Sequence, residues 1–218
     1  MASPSVEDYI KSIFAAQSDS ESVTTQDVAA RLHVSAAAVS KMLKRLTELR
    51  LVTHTPYHGM RLTDAGEKMA LEIIRHHRLL EVYLMQALGY GWDEVHQEAE
   101  RLEHHISEEF EDRIDALLGY PTNCPHGDPI PTRDGVLPAS ADHPLAQEQS
   151  SSHLQIRRVR DEDAEVLRHL KKLGLTPGTA IEFLEQEPFG GAYIVRVGSE
   201  IVRVAPQVAK QIFVTAAS

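Results

Sequence analysis

Between Val95 and Phe110 the chain repeats histidines and carboxylates at a spacing suited to holding a cation. On a helix, His96, Glu100, Glu103 and His104 fall within an arc of roughly 100°. The apolar Val95, Ala99, Leu102, Ile106 and Phe110 form a neighbouring stripe, and Glu94, Gln97, Glu98, Arg101 and His105 the far side. Earlier in the chain, His77 and Glu81 stand one turn apart. Two adjacent antiparallel helices would turn all six side chains towards one another. Imidazoles and carboxylates without a thiolate make a donor set of intermediate hardness, suited to Mn²⁺, Fe²⁺ or Zn²⁺. Without a cation, Glu81, Glu100 and Glu103 would repel one another and be costly to bury. His76 and His105 point away from their ligand neighbours by about 100° and are left out.

Catalytic alternatives have little support. There is no His-Glu-x-x-His, the pattern of zinc proteases. There is also no Glu-x-x-His, which di-iron carboxylate bundles need on two helices. We therefore expect no enzyme. The single cysteine, Cys124, excludes an internal disulfide framework and an all-thiolate zinc site. The first residues, MASPSVEDYIKSIF, carry no apolar signal core, and no apolar run approaches ~18 residues. The expectation is a cytoplasmic protein without a membrane segment or a small organic ligand.

The net charge of −10 speaks against diffuse attraction to nucleic acid, but the charge is unevenly distributed. Residues 35–50 hold Lys41, Lys44, Arg45 and Arg50 against one acid, Glu48. Residues 92–115 hold ten acids against Arg101 and Arg113. A basic end and an acidic middle imply two functional zones.

The elements that must position these groups follow from periodicity and punctuation. Tyr9, Ile10, Ile13 and Phe14 mark a first helix. Thr24-Thr25 can cap a second, TQDVAARL, with Asp27 in its first turn, and Ser35 a third, AAAVSKMLKRLTEL. LVTHTPYHGMRLT alternates around Pro-Tyr-His-Gly and reads as a hairpin. Helix, helix, turn, helix and hairpin make a winged helix-turn-helix. A long helix then runs from Asp64 to about Leu88. It is apolar almost all round between Leu79 and Leu88, through Leu80, Val82, Tyr83, Leu84 and Met85, which predicts a subunit interface. The ligand-bearing helix follows from Trp92, and a shorter one continues towards Leu118.

Six of the eleven prolines lie between 121 and 144, before AQEQSSS, a segment whose second half reads as a flexible linker. From His153, short β runs surround one helix, DAEVLRHLKKLG, as in a small β-barrel. The predicted architecture is mainly α with a small β part. It comprises a winged-helix domain (1–63), a helical metal-binding and dimerisation domain (64–140), a linker (141–152) and an SH3-like C-terminal barrel (153–218).

In a helix-turn-helix the start of the second helix lies nearest the base edges. Here that start is Ser35, Ala36, Ala37, Ala38, Val39, Ser40 and Lys41. The small residues let the backbone approach the groove, and Lys41 is the first side chain long enough to reach a base or phosphate. Lys44 and Arg45 suit phosphates. His54, His58 and Arg61 make a modestly basic wing.

In this order the parts resemble the diphtheria-toxin-repressor family of metal-dependent transcriptional regulators, above all its manganese-sensing branch. VEDYIKSIF resembles the family's first helix, HHRLLEVYL and VHQEAERLEHHIS its two metal-binding helices, and NCPHGDPIP the turn after its dimerisation domain. The resemblance implies a homodimer that binds palindromic operator DNA when its metal sites are filled, controlling metal-homeostasis genes. It implies a primary site of Asp8, Glu100, Glu103 and His104, and an ancillary site of His77, Glu81 and His96 with Asp161. Iron-sensing members have methionine where this chain has Asp8 and cysteine where it has Glu100, so the carboxylates point to Mn²⁺. Fe²⁺ is the alternative, and Zn²⁺, Co²⁺ or Cd²⁺ can occupy such sites in vitro. Lys11 stands where the best-known manganese sensors carry a second acid, which argues against a binuclear site. Arg158 stands near one ligand position of three-domain members and cannot serve as a ligand. The other class to weigh is a metal-binding winged-helix protein that docks protein instead of DNA.

Overall fold

The computed structural model describes residues 3–19, 22–55, 59–161 and 163–217. These form two compact units. The first comprises residues 1–77, 103–106 and 131–137; the second comprises 78–102, 107–130 and 138–218.

The first unit holds α1 (Pro4–Asp19), α2 (Thr25–Leu32), α3 (Ala36–Glu48), the hairpin β1 (Val52–Thr55) and β2 (Gly59–Leu62), and the first part of α4 (Asp64–Leu88). Its helix ends follow the expected chemistry. Thr24 and Asp27 form a reciprocal capping box on α2, and hydrogen bonds from Thr24 hold the Asp27 carboxyl below its ordinary range. His33 closes α2 in the left-handed region (φ 53°), and the Ser35 hydroxyl accepts from Ala38 N to start α3. Ile10, Ile13, Val28, Val39, Leu46 and Met60 are buried together in one core. The wing pairs Val52 with Leu62 and Thr55 with Gly59; its expected turn, Pro56-Tyr57-His58, lies outside the described residues. Gly59 sits at φ +81°, where a Cβ would fall 2.5 Å from the Val23 carbonyl oxygen. Only glycine lets the wing close on that segment.

The second unit contains the rest of α4, α5 (Val95–Leu102), α6 (Glu108–Leu117) and a six-stranded antiparallel sheet. The strands are β3 (His143–Pro144), β4 (Ser152–Val159), β5 (Ala180–Gln186), β6 (Tyr193–Val197), β7 (Glu200–Val204) and β8 (Ile212–Ala216). They run in the order β3-β8-β4-β5-β6-β7. The fold class is as expected, although β3 and β7 are edges and the SH3-like sheet is not closed into a barrel. Asp163 caps α7 (Ala164–Lys172), whose Leu167 and Leu170 join Ile156, Phe183, Val195 and Val214 in the core. Among the described residues no helix is long and apolar enough to cross a membrane.

Three expectations need correction. The segment 141–152 is not a free linker: β3 pairs with β8, and Leu145 is 0% exposed in the core of the sheet. Leu145, directly after Pro144, anchors it, and the Tyr193 hydroxyl donates to the Ala146 carbonyl at 2.9 Å. The helix from Trp92 does not run through to Phe110. It ends at Leu102, residues 103–105 turn, and Ser107 adopts an extended conformation to cap α6, accepting from Phe110 N. Serine competes for backbone donors in this way, and Glu108, Glu109 and Glu111 then suit the new helix's dipole. Leu84 is only 2% exposed within its own chain, so its apolar surroundings do not require a second subunit. On α4, α6 and the residues just after α6, the large apolar side chains left exposed are Leu88, Phe110, Leu117 and Tyr120, with Leu117 and Tyr120 each 69% exposed.

Candidate metal centres and nucleic-acid face

The first unit gathers one set of donors. Asp8 comes from α1, His77 from α4, and Glu103 and His104 from the turn after α5. His104 Nε2 lies 2.8 Å from Asp8 Oδ1 and 3.5 Å from Glu103 Oε1. One donor atom from each of Asp8, Glu103 and His104 lies within 4.8 Å of the others. The second ring nitrogen, His104 Nδ1, is 2.7 Å from Glu7 Oε2. A carboxylate that accepts from Nδ1 orients the ring and leaves Nε2 as the donor towards a cation. His105, left out of the reading, is exposed.

Glu103 is the deepest group of this centre, with its side chain 0% exposed. Lys11 Nζ donates to both its oxygens, at 2.9 and 2.8 Å, and His77 Nδ1 donates to Oε2 at 2.6 Å. Burial alone would raise the Glu103 carboxyl, but the His77 hydrogen bond and the Lys11 charge hold it below its ordinary value. His76 points away from the donor set as its position suggested. It is buried and donates from Nδ1 to the Glu103 carbonyl at 3.2 Å, pinning the turn.

The second unit gathers another set. His96 Nδ1 is 3.3 Å from Asp161 Oδ2 and 3.5 Å from Glu81 Oε1, and its Nε2 is 4.0 Å from Glu100. Burial would lower the His96 pKa, yet hydrogen bonds to Asp161 and Glu81 raise it to about 10. Loss of water around Asp161 would raise its carboxyl, but the reciprocal bond from His96 holds it below its ordinary range.

Two members of this set, Cys124 and His126, were not expected from the sequence. Cys124, Glu81 and His126 each offer a donor atom within 4.8 Å of the others, and all three are buried. His126 Nε2 donates to the Trp92 carbonyl at 2.9 Å. In the neutral ring Nδ1 is therefore a bare acceptor. That nitrogen makes no hydrogen bond, and it lies 3.4 Å from Glu81 Oε1 and 3.6 Å from Asp161 Oδ2. A lone pair facing two carboxylates is repulsive unless a proton or a metal cation lies among them. Burial would lower the His126 pKa, but the facing carboxylates raise it, while burial and the Glu81 charge push the Cys124 thiol up. The donor set thus fits a divalent ion, which would displace both protons.

The turn carrying Cys124 and His126 is built on Gly127. Gly127 N bonds Cys124 O at 3.0 Å, and Val159 N on β4 bonds His126 O at 2.9 Å. Gly127 has φ +93°, and a Cβ there would lie 2.0 Å from the Arg157 carbonyl oxygen. Arg158, unable to ligate, instead braces this turn. It lies 3.5 Å from Asp128 and 2.9 Å from Asp142, and its guanidinium stacks 3.5 Å above the Phe213 ring. The signal for Cys124 and His126 was the spacing Cys-Pro-His-Gly: two donors flanking a proline in a turn. Periodicity does not register such a pattern.

In the helix-turn-helix, α3 buries Val39, Leu43 and Leu46. Ser35, Ala36, Ala37, Ser40, Lys41, Lys44 and Arg45 are exposed, as is Arg61 on β2. The Ser40 hydroxyl is turned back onto the Ala36 carbonyl at 2.9 Å. The exposed start of the helix therefore presents mainly methyl groups and backbone, followed by three cations.

Comparison with known proteins agrees with this arrangement. Three family models match in succession. The iron-dependent repressor N-terminal DNA-binding domain matches residues 1–60, and the iron-dependent repressor metal-binding and dimerisation domain matches 63–132. The FeoA domain matches 143–216. The iron-dependent repressor IdeR of Mycobacterium tuberculosis is 29% identical over 219 residues, covering 92% of each chain. A manganese-dependent transcriptional repressor solved in complex with manganese is 37% identical, with a TM-score of 0.92 over 97% of this chain and all of that one. ScaR, solved with bound Zn²⁺, is 35% identical, with a TM-score of 0.85 over 97% of this chain and 99% of that one. The chain therefore belongs to the diphtheria-toxin-repressor family of metal-dependent, DNA-binding transcriptional repressors.

Proposed function

We propose that this protein is a cytoplasmic, homodimeric repressor that binds palindromic operator DNA when Mn²⁺ is bound, and so controls metal-homeostasis genes. The observation that carries the reading is the meeting of Asp8 with Glu103 and His104. Asp8 belongs to the first helix of the DNA-reading unit. An ion held by these three residues would join α1 to the turn that follows α5. Metal then needs only a higher affinity for the DNA-competent arrangement to act as corepressor. Two carboxylates and one imidazole, with no sulfur, favour Mn²⁺ over softer ions.

Glu81, His96, Cys124, His126 and Asp161 form a second, ancillary centre. Its buried thiol supports a second reading, an Fe²⁺-dependent regulator, and gives Zn²⁺, Co²⁺ and Cd²⁺ a place to bind in vitro. Ser35, Ala36, Ala37, Ser40 and Lys41 face base edges, while Lys44, Arg45 and Arg61 take phosphates. The exposed Leu88, Phe110, Leu117 and Tyr120 supply the subunit interface. The functional division is a winged helix (1–63), a helical metal and dimer domain (64–140) and a C-terminal domain that begins with β3.

The test is a shift assay on a palindromic operator with chelator, Mn²⁺ or Fe²⁺, comparing the parent with Asp8→Ala. We expect Mn²⁺ to tighten binding for the parent and to have little effect on Asp8→Ala. Equal Mn²⁺ dependence in both proteins would overturn the role of Asp8. A stronger response to Fe²⁺ than to Mn²⁺ would select the iron reading.

A further inference from the structure

Asp8 and Lys11 stand three residues apart on α1, so their heads reach the same side of the helix. Asp8 meets His104, and the Lys11 ammonium bonds both oxygens of Glu103 while lying 3.5 Å from His77 Nδ1. Glu103 is the one fully buried carboxylate of the first centre. Any ion shared by Asp8, Glu103 and His104 must take a Glu103 oxygen that Lys11 already engages. A unit charge and a divalent cation on one carboxylate repel each other strongly at about 4 Å in a partly buried site.

We propose that Lys11 is a built-in competitor for the metal: its ammonium neutralises Glu103, must be displaced when a divalent ion binds, and limits this centre to one ion. The inference rests on the reading that Asp8, Glu103 and His104 hold the metal. Displacement is feasible because the Lys11 side chain is 22% exposed and its four-carbon stem can swing the ammonium into water. The lysine has two consequences. It lets a buried carboxylate fold into place without an ion, since leaving Glu103 without a cation would be costly. It also sets a threshold, because only an ion that outbids a charge-assisted pair of hydrogen bonds can enter. A second ion would need a further acid beside Asp8 on this face of α1, and the ammonium occupies that place.

The experiment measures Mn²⁺ stoichiometry and affinity by calorimetry on the full chain, and its thermal midpoint in chelator. The proteins compared are the parent, Lys11→Met, Lys11→Arg, Lys11→Glu and His104→Ala. Lys11→Met should lower the chelator midpoint and bind Mn²⁺ at the first centre at least roughly tenfold more tightly, the worth of one charge-assisted hydrogen bond. Lys11→Arg should keep the parent's affinity. Lys11→Glu should bind one more Mn²⁺ per chain than the parent, with an exchange-coupled Mn²⁺ pair in its electron paramagnetic resonance spectrum. If Lys11→Met does not fold in chelator, Lys11→Gln replaces it with the same expected tightening. Parent-like affinity in the neutral variant, or parent stoichiometry in Lys11→Glu, overturns the proposal. His104→Ala separates the two readings: it should lose one Mn²⁺ per chain. If it keeps them all, the assignment of the centre itself fails and the role of Lys11 falls with it.

Discussion

The two centres use the same vocabulary differently. The first has oxygen and imidazole donors, is braced by Glu7 and Lys11, and takes one ligand from the helix that opens the DNA-reading unit. The second adds a buried thiol, and is held by a glycine turn locked to β4. On the function proposed above, the difference teaches how one chain can separate sensing from support. A centre that joins a mobile function to its frame needs an ion it can lose. A centre buried among carboxylates and a thiol suits an ion that stays and stabilises the fold.

The largest effect should separate the centres outright. His104→Ala should cost most of the Mn²⁺ enhancement of operator binding, roughly 10- to 100-fold in a shift assay, the usual span of allosteric coupling. Asp161→Ala should retain most of that enhancement while weakening metal binding at the second centre. Equal losses in both variants would mean that the centres act as one.

Gly127→Ala should be next. A Cβ at φ +93° and 2.0 Å from the Arg157 carbonyl forces the Cys124–Asp128 turn away from β4. We expect a loss of about 1–3 kcal/mol in chemical denaturation. Calorimetry should show weaker metal binding at the second centre with the first unchanged. Parent-like stability would show that the turn relaxes at little cost.

Glu7→Gln sharpens the first centre. The amide can no longer hold the His104 Nδ1–H as a carboxylate does, so Mn²⁺ affinity there should fall by about tenfold. The fold and the dimer should be unaffected.

A pH dependence in chelator bears chiefly on the second centre. The folded pKa of His96, about 10, lies above its ordinary 6.5. The stability it draws from Asp161 and Glu81 is therefore fully present below pH 6.5 and is lost as pH rises through about 10. The gap in denaturation midpoint between the parent and His96→Gln should narrow over that window. A gap that widens with pH would show that His96 is neutral in the folded chain. The matching proton effect at the first centre should be weaker, because a lysine holds Glu103.

The sequence by itself determined the helix-turn-helix, its caps at Thr24 and Ser35 and the alternating strands after His153, and its spacing offered His77, Glu81, His96, Glu100, Glu103 and His104 as candidate ligands, with Asp8 and Asp161 added by the family resemblance. These are local matters of period, capping chemistry and donor type. It misjudged α5, because a period seen through Leu102 was extended over Glu103 and His104, where Ser107 was about to start another helix. Only the tertiary structure decided which donors meet. His104 finds Asp8 across 96 residues and Lys11 finds Glu103 across 92. His126 reaches Glu81 and Asp161 because Gly127 lets its turn lie against β4. Periodicity sees neighbours along one element. Convergence between elements depends on how cores pack and where turns bend, and that is settled only when the whole chain has folded.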